Sequence, residues 1–388
     1  MKYLLRALAK LMRLLTFGRF KYSRPVEGNA AYMGLGEKLW YGYKFYGNPI
    51  REPERGKNIR EYFQEHSPEG FRNENAARYK VEDLPSITIA LAGDILPCPG
   101  FPKIPSGHLC DVINFFKTAD IRCANLESPV VSWRPVNIPP EDILAPPDMN
   151  NSPEAIKFLL QNTGDAAGIT IFSTANNHAM DQGVEGVAAT LDFLDELGVL
   201  HVGTARSSTE RDKLLMIGIR GYQIAFLSWT FSLNCHRLPD DREYLVNTMR
   251  LNLPGIDISP IAAQVREARI RGAEAVVLFL HWGLEDECFP LASQIETAHR
   301  LAECGVDIIC GNHPHALQPA ERYVWKDQNS GEDLLRESLI IYALGDFLTP
   351  QPYLGMSALS AIMEVTLVRR DDGRILIYDV KTKHLDAS

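Results

Sequence analysis

Carboxylates, carboxamides and imidazoles recur in this sequence at one kind of place, directly after a short apolar run. Asp94 follows ITIALA, Asn125 and Glu127 fall at the end of ADIRCAN and just beyond it, and Asn176, Asn177 and His178 follow GITIFSTA. His281 closes AVVLFLH, and His313 and His315 lie in GNHPHALQP just after VDIICG. Such side chains are hard and borderline donors for divalent cations of the manganese, iron or zinc class. A carboxylate can bridge two cations, imidazoles complete the shell without adding charge, and an amide oxygen fills a position where a further anion would weaken Lewis acidity. Two ions about 3.5–4 Å apart can activate a water and clamp the oxygens of a phosphate ester. The leaving group then needs an acid, so one histidine should stay outside the ligand set.

Each residue alone has a plainer reading. Asp94 in AGDIL fits a turn after Gly93, Glu127 in NLESP a solvated loop carboxylate, and Asn176-Asn177 a left-handed turn. Their recurrence at strand exits is what favours a shared site, because sites in α/β sheets collect at the carboxyl ends of strands. Asp181 and Gly183 read as shaping the turn after His178, and Trp229 and Trp282 as packing or pocket walls. His201 is ambiguous, and His66, His108, His236, His299 and His384 read as surface or incidental. No P-loop or dinucleotide fingerprint is present, so no nucleotide cofactor is implied.

The elements that must position these residues are legible in the periodicity. Apolar runs at 87–92, 119–125, 168–175, 275–281, 306–311 and 339–345 read as buried strands. Helical stretches alternate with them: EAIKFLLQN after Ser152-Pro153, VAATLDFLDEL before Gly198, IAAQVREARI after Ser259-Pro260, and ASQIETAHRLAEC before Gly305. Two hairpins break the alternation, one around Gly221 and one around Asp371-Asp372-Gly373. The expected architecture is α/β with antiparallel pairs inside mixed sheets.

The chain of 388 residues is long enough for one large α/β domain with appendages, and 45% hydrophobic with 23% charged residues is an ordinary globular balance. A net charge of −9 argues against nucleic acid as a partner. An anionic small molecule or polymer would need a local positive centre, which metal ions provide. Seven scattered cysteines without a CxxC pair read as buried free thiols. Residues 1–25 form a basic amphipathic helix, with Lys2, Arg6, Lys10 and Arg13 striped against leucines. Two readings stand for it: peripheral contact of residues 1–20 with an anionic membrane, and packing on its own domain. Its charges interrupt every apolar run, so neither a secretory signal nor a spanning helix of about 20 apolar residues is expected, and the location reads as cytoplasmic or peripheral membrane. Residues 26–84 read as an irregular extension, and 85–388 as the main domain including the C-terminal hairpin.

AGDIL, NLESPV, ANNHAMDQG, HVGTA, HWGLE, GNHPHALQP and IYALGDF, in that order and spacing, resemble the CapA (PGA_cap) family of bacterial capsule and poly-γ-glutamate synthesis proteins, within the calcineurin-like metallophosphatase superfamily. The resemblance runs from about Ile87 to Leu348. It implies a four-layer αββα sandwich with mixed sheets and two divalent metal ions. Carried over residue by residue, it makes Asp94 and His315 ligands of the first metal, Glu127 the bridge, Asn177, His281 and His313 ligands of the second, and His178 the catalytic histidine. Asn125, Asn176, Asn312 and Asp346 surround these or meet substrate. The pattern departs at Leu96, where the superfamily carries a histidine ligand, at Asn312, where relatives carry another histidine, and at Asp346, where they carry asparagine. The implied activity is metal-dependent hydrolysis, of a phosphoester before an amide, and the alternative is a non-catalytic accessory protein that binds an anionic polymer in capsule synthesis or export.

Overall fold

The structure is a computed structural model that describes residues 2–15, 28–29, 32–47, 52–68, 85–99, 101, 110–138, 148–163, 169–326, 335–349, 359–370 and 372–386. In chain order the elements are α1 (Lys2–Leu15), α2 (Leu35–Gly47), α3 (Ile59–His66), β1 (Ser86–Ile95), α4 (Cys110–Lys117), β2 (Ile121–Leu126), α5 (Pro153–Thr163), β3 (Ile169–Ser173), α6 (Gly183–Glu196) and β4 (Leu200–Val202). They continue with α7 (Ser208–Arg211), β5 (Leu215–Ile219), β6 (Tyr222–Thr230), α8 (Ser259–Ile270), β7 (Ala275–His281), α9 (Ala292–Glu303) and β8 (Ile308–Asn312). The chain closes with β9 (Ala320–Lys326), β10 (Leu335–Ile341), β11 (Asp346–Leu348), β12 (Leu359–Arg369) and β13 (Ile375–Asp386).

Two mixed sheets stack face to face. The first has the order β13-β12-β1-β2-β3-β4, with β11 also parallel to β1, and the second has the order β5-β6-β7-β8-β10-β9. Strand alternation divides the side chains between layers. Ile87, Ile89 and Leu91 of β1 meet Val277 and Phe279 of β7 between the sheets, whereas Ala90 and Ala92 face the outer layer with Phe116, Ile156 and Leu194 of α4, α5 and α6. On the other side, Val276, Leu278 and Leu280 pack under Ile261 and Val265 of α8 and Ala298 and Leu301 of α9. Burial on both faces explains why these strands read as continuous apolar runs. The result is the four-layer αββα sandwich with mixed sheets.

Local chemistry agrees with this frame. Ser152 Oγ accepts the Ala155 N–H at 2.9 Å and caps α5. Arg220 and Gly221, with φ of 48° and 80°, form the two-residue turn between β5 and β6, as a hairpin turn with two left-handed residues requires. A Cβ at Gly93 would collide with the Gly345 carbonyl, whose oxygen accepts the Asp94 N–H at 3.0 Å. That close approach sets Asp346 beside Asp94 in register. In the C-terminal hairpin Gly373 has φ of 81°, while Asp371 lies outside the described residues.

The irregular reading of residues 26–84 is corrected by α2 and α3. The α2 stretch LGEKLWYGYKFYG mixes glycines with aromatics and lacks an aliphatic stripe, and α3 spans only eight residues, so neither shows a clean helical period. Ile59 and Phe63 of α3 nevertheless enter the core on the outer face of the second sheet, with Phe63 edge-on to Tyr342 at 5.4 Å between centroids. Burying such a phenylalanine contributes about 1.5–3 kcal/mol, so α3 is part of the helical layer. Helix α1 lies against α2, buries Ala9 and leaves Leu8, Leu11, Leu14 and Leu15 exposed. Among the described residues no helix is long and apolar enough to cross a membrane. The thiols divide: Cys98, Cys123 and Cys310 are buried, while Cys235 and Cys304 are exposed, which corrects the uniform reading of buried cysteines.

Candidate metal centre

The carboxyl ends of parallel strands from both sheets converge on one buried cluster. Asp94 comes from β1, Asn125 from β2, Glu127 from just beyond it, and Asn176, Asn177 and His178 from the loop after β3. His281 ends β7, Asn312 ends β8 in register with it, His313 and His315 follow at once, and Asp346 opens β11. The His-Pro-His turn is made tight by φ of 98° at His313 and 51° at His315, conformations that cost non-glycine residues about 1–3 kcal/mol and recur at functional sites.

Hydrogen bonds fix the directions of the donors. Asn125 Nδ2 donates to Asp94 Oδ1 at 2.7 Å and lies 3.3 Å from His281 Nδ1. This contact orients the ring so that Nε2 faces the cluster. That nitrogen lies 2.8 Å from Asn177 Oδ1 and 3.4 Å from Glu127 Oε1. The other oxygen of Asp94 accepts the His313 backbone N–H at 3.0 Å. His315 presents Nδ1 to Asp346 Oδ1 at 2.8 Å and Nε2 toward Glu127 Oε1 at 3.7 Å. Asn176 donates to the Leu126 carbonyl at 2.7 Å and accepts the His178 N–H at 3.1 Å, tying the β3 loop to the start of the Glu127 segment.

Three overlapping groups of donor atoms result, each with all its atoms within 4.8 Å of one another: Glu127, His313 and His315; Asp94, Glu127 and His281; and Asp94, His315 and Asp346. Glu127 links the first two and Asp94 the last two. The electrostatics suit a cation. Glu127 is wholly buried, and neither of its oxygens has a hydrogen-bond partner, a costly condition for a carboxylate without a counter-charge. Asp346 Oδ2 and His313 Nδ1 are unpartnered as well. Burial pushes the Glu127 carboxyl up to about 7 and Asp94 well above the usual carboxylate range. It also holds His281 and His313 well below the ordinary histidine value, so both are neutral donors. Burial opposes charge on His315 too, but Glu127 and Asp346 outweigh it and raise that imidazole. Buried carboxylates beside neutral imidazoles fit divalent metal binding.

His178 belongs to none of these groups. Its Nδ1 is 2.7 Å from Asp181 Oδ2, and that carboxylate outweighs the burial that would otherwise depress the imidazole, raising it. Asp181 was expected only to shape a turn; it also orients His178 and accepts the Met149 N–H at 2.9 Å. Two histidines taken as incidental are corrected too. His236 Nε2 lies 3.6 Å from Asp181 Oδ1, and His299 lies 2.9 Å from the buried Glu321, which also accepts from Tyr62 and Tyr342. Leu96 is buried and joins β11 through its N–H to Leu348 O at 2.8 Å, and its side chain offers the cluster no donor. Lys44 of α2 reaches the loop after His281, donating to the Glu285 carbonyl and lying 3.5 Å from Glu287 Oε1. Asp286 N of that loop donates to Pro314 O at 2.8 Å, so the N-terminal segment braces the His-Pro-His turn. Only the i+3 spacing of Asp181 from His178 hinted at any of this in the sequence.

Two stacked sheets whose strand ends meet at such a cluster define a four-layer αββα protein with a candidate metal centre. Within that class the chain belongs to the family described as bacterial capsule synthesis protein PGA_cap, whose model matches residues 88–351. It is 28% identical over 297 residues to the PGA biosynthesis protein CapA of Bacillus subtilis, covering 74% of this chain and 70% of that one. It is 24% identical over 311 residues to the capsule biosynthesis protein CapA of Bacillus anthracis, covering 79% and 69%. A Mycobacterium tuberculosis relative, named a probable polyglutamine synthesis accessory protein, is 22% identical over 312 residues, covering 69% and 76%.

Proposed function

We propose that this protein is a metal-dependent hydrolase, acting on a phosphoester of an anionic substrate in capsule, poly-γ-glutamate or cell-envelope polymer metabolism. The observation that carries the reading is the buried Glu127, with both oxygens unpartnered among imidazoles, next to a His178–Asp181 pair that stands outside the donor groups. Asp94, Glu127, Asn177, His281, His313 and His315 would hold the metal ions, with Asp346 beside Asp94 and His315. Divalent ions there supply Lewis acidity and a water acidic enough to attack phosphorus near neutral pH.

The chain's own groups do the rest. Asp181 keeps the Nδ1 proton of His178, which leaves the Nε2 proton for the departing oxygen. Asn125 orients His281 from its Nδ1 side, and Asp346 orients His315. The buried walls strengthen each of these electrostatic contacts. The exposed leucines of α1, with Lys10 among them, support contact with an anionic membrane surface, where a polymer pathway would present its substrate.

A second reading has specific support: Leu96 removes a ligand, and the mycobacterial relative is named as an accessory protein. In that reading the cluster binds an anionic polymer through metal without turning it over. Metal analysis of the purified protein, with a panel of phosphomonoesters, phosphodiesters and peptide amides, separates the two. Chelation should abolish phosphoester hydrolysis and Mn2+ restore it. Metal-dependent polymer binding with no hydrolysis across the panel would replace the enzyme by the accessory protein.

A further inference from the structure

Asn177 can face the cluster with its amide oxygen or its amide nitrogen, and only the oxygen can serve a cation. What decides between them lies 57 residues away in sequence. Asn234, in the loop after β6, donates its Nδ2 to the backbone carbonyl of Asn177 at 3.0 Å. A carbonyl only accepts, so this bond fixes which end of the Asn234 amide is nitrogen. Its Oδ1 must then face the Asn177 side chain, and it accepts from Asn177 Nδ2 at 3.3 Å. With that nitrogen engaged outward, Asn177 Oδ1 points inward, 2.8 Å from His281 Nε2. The reversed amide would set oxygen against oxygen at Asn234.

The loop is built to keep this geometry. Asn234 has φ of 54°, which asparagine tolerates better than most residues, and its N–H donates to Ser232 Oγ at 2.8 Å. Phe231 N donates to the His281 carbonyl at 2.9 Å, so the loop and the imidazole move together. We infer that Asn234 is a positioning residue that locks the Asn177 amide with its oxygen toward the cluster. The lock rests on the geometry alone; its value for metal binding rests on the function proposed above.

The test uses the full chain with two variants. Asn234→Gly removes the amide while keeping a residue suited to the left-handed backbone. Asn234→Asp keeps an acceptor for Asn177 Nδ2 but sets a second oxygen against the Asn177 carbonyl in place of the donor, so it should restore the lock only in part. Hydrogen exchange of the Asn177 side-chain amide, followed by NMR in chelator-treated protein, should be slow in the wild type, about tenfold or more faster in Asn234→Gly, and between the two in Asn234→Asp. The Mn2+ dissociation constant, measured by calorimetry, should rise about 10- to 100-fold in Asn234→Gly and less in Asn234→Asp. Equal amide exchange in the wild type and Asn234→Gly overturns the lock whatever the metal does. A freed amide with unchanged Mn2+ affinity upholds the lock and removes Asn177 from the ligand set. A wild type that binds no Mn2+ removes the metal reading, while the exchange data still decide the lock.

Discussion

His178 Nδ1 and Asp181 Oδ2 lie 2.7 Å apart, on a segment whose neighbouring Asn177 faces the carboxylate–imidazole cluster. One short stretch of loop therefore offers the cluster an amide oxygen and, three residues before its carboxylate partner, an imidazole held in one orientation. Asp181→Asn keeps a hydrogen-bond acceptor but removes the charge that raises His178. Turnover should fall on the order of 10²-fold with metal content unchanged. Steady-state kinetics beside metal analysis checks this, and undiminished turnover would remove Asp181 from the mechanism.

His313 and His315 face Glu127 from one turn, and both are proposed ligands. His313→Ala and His315→Ala should each lower bound metal and activity together, with affinity losses of at least about 10-fold. Plasma mass spectrometry after dialysis against Mn2+ reads the first quantity. Full metal content in either variant would contradict its assignment.

In chelator-treated protein Glu127 should weaken the fold as pH rises. Its carboxyl is raised from 4.5 to about 7 by burial, so the folded state holds the proton more tightly than the unfolded one. The contribution is intact below the unfolded value and is lost as pH climbs through the folded value. Glu127→Gln should thus melt near wild type at about pH 4.5 and a few degrees higher at about pH 8. A melting difference that does not grow across that window would contradict a carboxyl raised by burial.

Leu14 and Leu15 are 73% and 69% exposed on α1, beyond the point where Ala9 is buried. Full-length protein should co-sediment with anionic liposomes, and Leu14→Glu with Leu15→Glu should release it. Each basic residue near the surface contributes about 1 kcal/mol, so added salt should also weaken binding. Equal sedimentation of wild type and double variant would favour a helix that only packs on its own domain.

The strands and much of the cluster were legible because their signals are local. Burial on both faces makes β1, β7 and β8 continuous apolar runs, and the donors stand at their exits, where the chain has no other reason to place aspartate or histidine so often. The residues that escaped act across elements. Asn234 orients Asn177 from another loop, His236 approaches Asp181 from the same side, and Lys44 reaches the Glu285 loop from a segment that read as irregular. A contact between distant segments leaves no period or spacing in sequence, and the aromatic α2 hides its helical phase behind glycines.

The most direct test of the central claim is the ratio of turnover to bound metal in His178→Gln. His178 sits outside every donor group, so the variant should retain wild-type metal content while losing on the order of 10²–10⁴ in phosphoester turnover. Retained metal with hydrolysis unchanged would contradict the account by showing that His178 is not the acid.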